Sequence, residues 1–327
     1  MIHLFFCPQM TEMALRIHTA HPRRVTLGRI DWSYFRDGFP NLRIENAPGL
    51  RNRDVAFLST LTTPGEMFAQ LAVLFELPRY AVRSFKLILP YFPTGTMERV
   101  EEEGQIATAA TLARLLSDIP LTMSGPAQIV IYDIHALQER FYFSDSVIPR
   151  LETAVHLLKE QVGGESDLSI AFPDEGAWKR FGRLFPEFPQ IVCLKARRGD
   201  RRGVLIKEGD PRDRHVLIVD DLIMSGATLI ECKNVLREKG ANRVSAFATH
   251  GVFPDKGWQT LEHEDFHTIW ITDSCPEQAE ILSSRPPFQV ISLAPDISRI
   301  ILEPFSAECL HPQTVVERDG SSPTFEP

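Results

Sequence analysis

HVLIVDDLIMSGATLIECKNVLREKG, residues 215–240, is the stretch whose reading decides the fold. Val216–Val219 is a short, β-branched apolar run, the pattern of a buried parallel strand. Asp220 and Asp221 stand at its carboxyl end, followed by Leu222, Ile223 and Met224. A loop of small residues, Ser225-Gly226-Ala227-Thr228, then leads into an amphipathic helix stopped by Gly240. In an open α/β sheet, ligands bind beyond the carboxyl ends of the strands. There a helix N-terminus and consecutive backbone N–H groups hold a phosphate, and Ser and Thr hydroxyls add donors. Two carboxylates beside such a cradle would repel the phosphate itself. They make sense if the phosphate is one end of a sugar whose cis hydroxyls need acceptors. The plain alternative is a strand–turn–helix with solvated acids. It leaves unexplained why acid pair, small loop and helix start follow in one order.

The rest of the chain has to supply a scaffold for that site. Its 327 residues support two domains of ordinary size, and 43% hydrophobic with 24% charged residues is the composition of a soluble globular protein. A net charge of −8 speaks against a nucleic-acid or anionic-membrane binder, so basic residues must act locally. The five cysteines are scattered, with no C-x-x-C pair, which fits a reducing compartment and neither a disulfide frame nor a zinc site. Ile2–Cys7 is too short for a signal-peptide core and has no basic residue before it. No apolar stretch approaches the roughly 18 residues of a membrane helix. The expected location is cytoplasmic.

Upstream, Val25 to Leu121 alternates short apolar strands with helical patterns. Asp54–Ser59 reads as a strand, and Thr63-Pro64-Gly65-Glu66 supplies an N-cap, a Pro at the first helical position and a capping-box Glu for the helix Met67–Leu77. Strand Lys86–Leu89, helix Gln105–Leu116, strand Gln128–Tyr132 and a polar helix Leu151–Glu160 follow. Val162-Gly163-Gly164-Glu165-Ser166 is the best boundary signal. Beyond it come strand Leu168–Phe172, helix Gly176–Leu184, strand Gln190–Leu194, a basic loop, and then the 215–240 stretch. Strands Val244–Thr249, Thr268–Thr272 and Gln289–Leu293 and a short helix Ile297–Ile301 end the pattern. Such alternation implies an α/β fold: two similar domains, 1–154 and 155–303, with mostly parallel sheets. The polar segment 304–327 is expected to be partly disordered.

Further chemistry gathers at other strand ends. Asp133-Ile134-His135 closes one strand, and Pro173-Asp174-Glu175-Gly176 closes another. Acids and a His converging near phosphates suggest Mg²⁺, which prefers oxygen ligands and keeps several waters. Taken alone, Asp133 reads equally as a strand-end cap and His135 as a half-buried, hydrogen-bonded histidine. No G-x-x-x-x-G-K-S/T loop and no G-x-G-x-x-G turn is present, so a nucleotide must be held in another way. The loop Pro90–Arg99 offers aromatic, hydroxyl and Arg groups after a strand. Asp31–Gly38 is an aromatic and acidic loop that also reads as simple turn packing. Residues 195–202, KARRGDRR, pack five cations and one acid between two strands of an acidic protein.

The 220–228 motif resembles the ribose-phosphate signature of type I phosphoribosyltransferases and of ribose-phosphate diphosphokinases. The segment DIHALQERFYF, 133–143, is similar to one that only the diphosphokinases carry. Together with PYFPTGTMERVEEEG, 90–104, it resembles their plant-type (class II) branch. The resemblance implies two phosphoribosyltransferase-type domains with the active site between them, and transfer of a diphosphoryl group from ATP to ribose 5-phosphate. It implies ribose 5-phosphate on Asp220, Asp221, Ser225, Gly226, Ala227 and Thr228. Mg²⁺ and nucleotide would be held by His135 and Asp174, with Asp133 beside them. Thr96, Glu98 and Arg99 lie where the family binds ATP, although Thr96-Met97-Glu98 replaces the common Arg-Gln-Asp. Lys195 and Arg197 match the catalytic Lys-x-Arg. Phe35 and Asp37 match residues that receive the adenine from a neighbouring subunit, so a homo-oligomer is implied. As for His135, an imidazole can ligate Mg²⁺ or, if charged, donate to a phosphate, and both roles stay open. A nucleobase phosphoribosyltransferase would share the central motif but need neither the Asp-x-His segment nor an adenine loop. A silent regulatory homologue would lose the Lys-x-Arg or the acids, and both are intact.

Overall fold

The computed structural model describes residues 1–198 and 201–304; the side chains of residues 195–198, 201 and 202 lie outside the description. The chain opens with β1 (Ile2–Phe6), α1 (Thr11–Ala20) and β2 (Val25–Leu27), then an antiparallel ribbon of β3 (Ile30–Tyr34) and β4 (Pro40–Ile44). β5 (Asp54–Leu58), α2 (Pro64–Glu76), β6 (Ser84–Ile88), α3 (Thr108–Ser117), β7 (Ala127–Tyr132) and β8 (Val147–Glu152) follow. They complete a six-stranded sheet in the order β2-β1-β5-β6-β7-β8, parallel throughout. The expected start of α2 is present: the Thr63 side chain accepts from the Glu66 N–H at 3.3 Å, and Pro64 occupies the first turn.

After α4 (Val155–Val162) the second sheet begins with β9 (Leu168–Phe172), α5 (Glu175–Phe181), β10 (Gln190–Arg198) and β11 (Arg201–Glu208). β12 (His215–Ile223), α6 (Ala227–Glu238), β13 (Arg243–Gly251), α7 (Trp258–Glu262), β14 (Ile269–Thr272), α8 (Pro276–Leu282), β15 (Phe288–Ile291) and α9 (Ala294–Leu302) follow among the described residues. Its seven strands run β11-β10-β9-β12-β13-β14-β15, parallel except for β11. The strand order reverses between β9 and β12, which makes their carboxyl ends the switch point where an α/β sheet opens a crevice. β12 is buried on both faces with a period of two. Val216 and Ile218 pack into one apolar cluster, and Leu217 and Val219 into the cluster that continues into the first sheet.

Four local expectations change. Ile2–Phe6, noted only as too short for a signal peptide, is a parallel strand in the first sheet, paired on both sides. Leu151 belongs to β8, paired with Ile131, so the helix after it starts at Val155. Asp31–Tyr34 is strand β3 and not loop, because Ser33 and Tyr34 pair with Asn41 and Pro40. The basic segment expected as a loop forms the two arms of a hairpin, with Lys195 opposite Val204 and Arg197 opposite Arg202; its tip, residues 199–200, lies outside the described residues.

α9, which follows the second sheet in sequence, packs back onto the first. Lys86, on β6 and 5% exposed, donates to the carbonyls of Ile300 (2.7 Å) and Glu303 (2.8 Å) at the helix C-terminus. Tyr132 Oη donates to Asp296 (2.7 Å), and Arg150 to Glu303 (2.6 Å). The last helix of the segment 155–303 thus packs against β6, β7 and β8 of the first sheet.

Candidate active site

The acid pair sits where β12 meets the switch point, within the strand and not beyond it: pairing with β13 continues through Leu222 and Ile223. The chain then turns through exposed Met224 and Ser225. Gly226, at φ +78°, is the residue before α6, and a Cβ there would lie 2.8 Å from Leu261 Cγ. Only glycine fits that conformation and that contact. Ser225 and Thr228 flank the start of α6, where the Ala227 N–H donates to Ser225 Oγ at 3.4 Å.

Asp221 is buried, and His135, arriving from the end of β7, donates Nδ1–H to its Oδ2 at 2.7 Å. This bond joins the two sheets at the cleft. Burial opposes ionisation of Asp221, but the His135 hydrogen bond and the charges of His135 and Arg180 outweigh it and hold the carboxyl below its ordinary range. Burial and the Asp221 charge push the half-buried Asp220 well above that range. The hydrogen bond to Asp221 likewise raises His135 against the effect of burial. The two neighbouring carboxyls are thus pushed in opposite directions, and their oxygens offer acceptors suited to neighbouring hydroxyls.

Asp174 is the N-cap of α5, accepting from the Ala177 N–H at 3.0 Å, and its charge reaches Asp220 across the switch point. Asp133, 3% exposed, accepts from the Ala154 N–H (2.9 Å) and the Thr249 hydroxyl (2.6 Å), with Arg180 3.6 Å away. Among the described residues no three His, Cys, Asp or Glu side chains cluster as a metal cage. His135 and Asp174 fit instead a Mg²⁺ that keeps its waters and takes other ligands from phosphate oxygens.

The loop Pro90–Arg99 carries Thr96, exposed; Glu98, half-buried, whose carbonyl accepts from Tyr142; and Arg99, exposed beside Glu98 and Glu101. Phe35 and Asp37 stand apart from this cleft at the exposed tip of the β3–β4 ribbon, where Asp37 accepts from the Phe39 N–H at 3.2 Å. Lys195 and Arg197 lie on β10, and their side chains are outside the description.

Three contributors were not picked out from the sequence. Arg180 on α5 donates to the His135 carbonyl (2.9 Å) and sits beside Asp133, so it ties the β7 end to the second sheet. His250 near the end of β13 donates Nε2–H to the Tyr132 carbonyl (3.0 Å), and the Tyr91 ring lies 4.9 Å from its own. Burial, with neighbouring Cys275 and Asp221, pushes the Tyr91 hydroxyl up to about 12, so it remains a donor beside Asp221 and His135. The third, Glu139, is fully buried beneath the Pro90–Arg99 loop; burial pushes its carboxyl up to about 7. A strand-end rule applied to β13 would have found His250; Arg180 and Glu139 carry no local signal.

Two mostly parallel sheets, with an acid pair at the switch point of one bonded to a histidine from the strand end of the other, define a phosphoribosyl-type α/β protein. A family model described as the phosphoribosyl synthetase-associated domain matches residues 198–306. The chain is 52% identical over 305 residues to ribose-phosphate pyrophosphokinase 3, mitochondrial, of Spinacia oleracea, spanning 90% of this chain and 75% of that one. It is 50% identical over 306 residues to ribose-phosphate pyrophosphokinase 4 of Arabidopsis thaliana, spanning 91% and 90%. Its fold matches the crystal structure of phosphoribosylpyrophosphate synthetase from Mycobacterium smegmatis with a TM-score of 0.77 at 24% identity, over 92% of this chain and 97% of that one. The chain belongs to the ribose-phosphate pyrophosphokinase family, on its plant-type branch. Among the described residues no helix is long and apolar enough to cross a membrane.

Proposed function

We propose that the cleft transfers the diphosphoryl group of ATP to O1 of ribose 5-phosphate, giving 5-phosphoribosyl 1-diphosphate and AMP. The observation that carries this reading is the 2.7 Å bond between His135 and Asp221, which sets a nucleotide-side segment against the sugar-side acid pair. Asp220 and Asp221 take the ribose 2- and 3-hydroxyls, and Ser225–Thr228 with the start of α6 take the 5-phosphate. Thr96, Glu98 and Arg99 line the nucleotide loop. Mg²⁺ arriving with ATP would be held by His135 and Asp174, and it supplies charge neutralisation at the phosphate oxygens. Asp133, taken up by Ala154, Thr249 and Arg180, supports that pair from behind.

Held this way, the anomeric hydroxyl attacks the β-phosphorus in line, and AMP leaves. Such a transfer depends on positioning and on cations that meet developing charge. Lys195 and Arg197 on the β10–β11 hairpin supply those cations. Residues 1–154 with α9 make the nucleotide half and residues 155–293 the ribose-phosphate half, and Phe35 and Asp37 complete the nucleotide site of a neighbouring copy. The four described cysteines are free thiols, which supports a reducing compartment such as the cytoplasm. The deciding experiment incubates the protein with Mg²⁺, ATP and ribose 5-phosphate. AMP should appear in step with a diphosphate-bearing sugar, and ADP or no product would refute the assignment.

A further inference from the structure

Beneath the proposed nucleotide loop lies a carboxylate that the transfer itself does not use. Glu139 is 0% exposed; its Oε1 accepts from the Ala136 N–H at 2.9 Å, and its Oε2 is buried with no hydrogen-bond partner. The backbone of Gly95 passes directly over it. A Cβ at Gly95 would lie 3.6 Å from each Glu139 oxygen and 3.4 Å from His135 Cβ. The neighbouring Thr94 is in the left-handed region, φ 65°, a strained conformation for a β-branched residue. Thr94 Oγ1 is also buried and unpartnered. Of the three such side-chain atoms among the described residues, two therefore belong to this spot: the hydroxyl of Thr94, next to Gly95 in sequence, and the Glu139 oxygen beneath the Gly95 backbone. Each orphan is costly while it lasts.

We propose that Glu139 is a positioning residue for the nucleotide, acting through the loop: when ATP binds, Thr94 relaxes and its hydroxyl donates to Glu139 Oε2. The loop is then pinned at Gly95, against the turn that carries His135, and Thr96 and Glu98 are fixed two and four residues beyond the latch. The new bond is absent here and forms only in the nucleotide-bound arrangement, so it favours that arrangement and leaves residues 220–228 on the other sheet untouched. This inference rests on the reading of residues 94–99 as the nucleotide loop.

The test is calorimetric titration of the full chain, in separate runs, with Mg²⁺–ATP and with ribose 5-phosphate, so that binding is read without turnover. Thr94→Val removes the donor. Glu139→Gln must place its NH₂ against either the Ala136 N–H or Thr94, so it cannot accept from both. Each variant should weaken ATP on the order of tenfold or more, the span of a hydrogen bond to a charged group. Ribose 5-phosphate affinity should stay unchanged. Thr94→Ser should restore ATP affinity, and the Thr94→Val/Glu139→Gln double variant should bind ATP no worse than either single. Additive losses, equal loss of both ligands, or unaltered ATP affinity in Thr94→Val would overturn the latch. If Glu139→Gln does not fold, the Thr94→Val and Thr94→Ser pair still decides, since that change is confined to the loop. Absence of ATP binding by the unaltered protein would instead overturn the nucleotide-loop reading itself.

Discussion

Asp220 and Asp221 are neighbours in sequence with different surroundings, and their substitutions should separate. Asp220 has no bond to the His135 segment, whereas Asp221 holds the His135 ring at 2.7 Å. Asp220→Ala should therefore weaken ribose 5-phosphate by about 1–3 kcal/mol, the cost of leaving a sugar hydroxyl without its acceptor, and leave Mg²⁺–ATP alone. Asp221→Ala should weaken both ligands, because His135 loses its orienting partner as well. Titration of each variant with each ligand checks this; unchanged ATP affinity in Asp221→Ala would show that His135 is not held there for the nucleotide. At this scale the stretch proposed for the sugar was legible as strand, turn and helix start because its nine residues, Asp220 to Thr228, are contiguous. The residues that close the cleft from the other side were hidden for the opposite reason. Arg180, 45 positions from its partner carbonyl at His135, and His250, 118 from Tyr132, acquire meaning only when two sheets meet.

Helices whose ends carry their own chemistry were found from sequence, as Thr63-Pro64 opening α2 illustrates. The elements missed are those whose residues do not look like what they form. β10 continues past Leu194 through Lys195, Ala196, Arg197 and Arg198 because β11 pairs with it, and a strand held by cross-strand pairing at a sheet edge needs no apolar alternation. The β3–β4 ribbon was passed over for the same reason: cross-strand pairing, which no local pattern announces, makes strands of polar residues. That the basic arms form a hairpin bears on catalysis, since a paired arm fixes the spacing of Lys195 and Arg197 along one strand. Negative charge developing around the attacked phosphorus has to be met by positioned cations, each worth ~3–4 kcal/mol, on the order of 10²–10³ in rate. Lys195→Ala should cut kcat by at least that factor with ribose 5-phosphate affinity nearly unchanged, because the proposed function puts the sugar phosphate on β12 and α6. Steady-state kinetics with direct sugar-phosphate titration checks it, and near-normal turnover would leave the hairpin a surface feature.

Across the whole molecule, α9 fastens the end of the chain to the first sheet, and Asp296 is its main polar anchor. Burial opposes the charge of Asp296, but bonds from His156, Tyr132 and Arg299 prevail and hold its carboxyl at about 2. A folded-state pKa below the unfolded value gives stability that is present above the unfolded value and lost as pH falls through the folded one. Asp296→Asn should thus cost about 2 kcal/mol at pH 7 and roughly half of that by pH 3, read from urea unfolding of both proteins at each pH. A gap that does not narrow would mean the anchor is steric. The remaining question at this scale is what covers the ribbon tip. Tyr34, Phe35 and Phe39 are 56%, 56% and 62% exposed, and such grouped aromatic surface commonly marks a contact with another chain. In the proposed assembly that contact is the nucleotide site of a neighbouring copy, which Phe35 and Asp37 complete. Each functional site then draws its ribbon from one chain and its hairpin from another. Phe35→Ala would disable the sites to which that chain lends its ribbon, and Lys195→Ala the sites that contain its own hairpin. Mixing the two inactive variants under conditions that allow subunit exchange should restore part of the activity, because some hybrid sites combine an intact ribbon with an intact hairpin. Rescue should rise with exchange time and be absent when either variant is diluted alone. Activity that stays at the sum of the two variants, or full activity from a strict monomer, would show that each chain builds its site by itself.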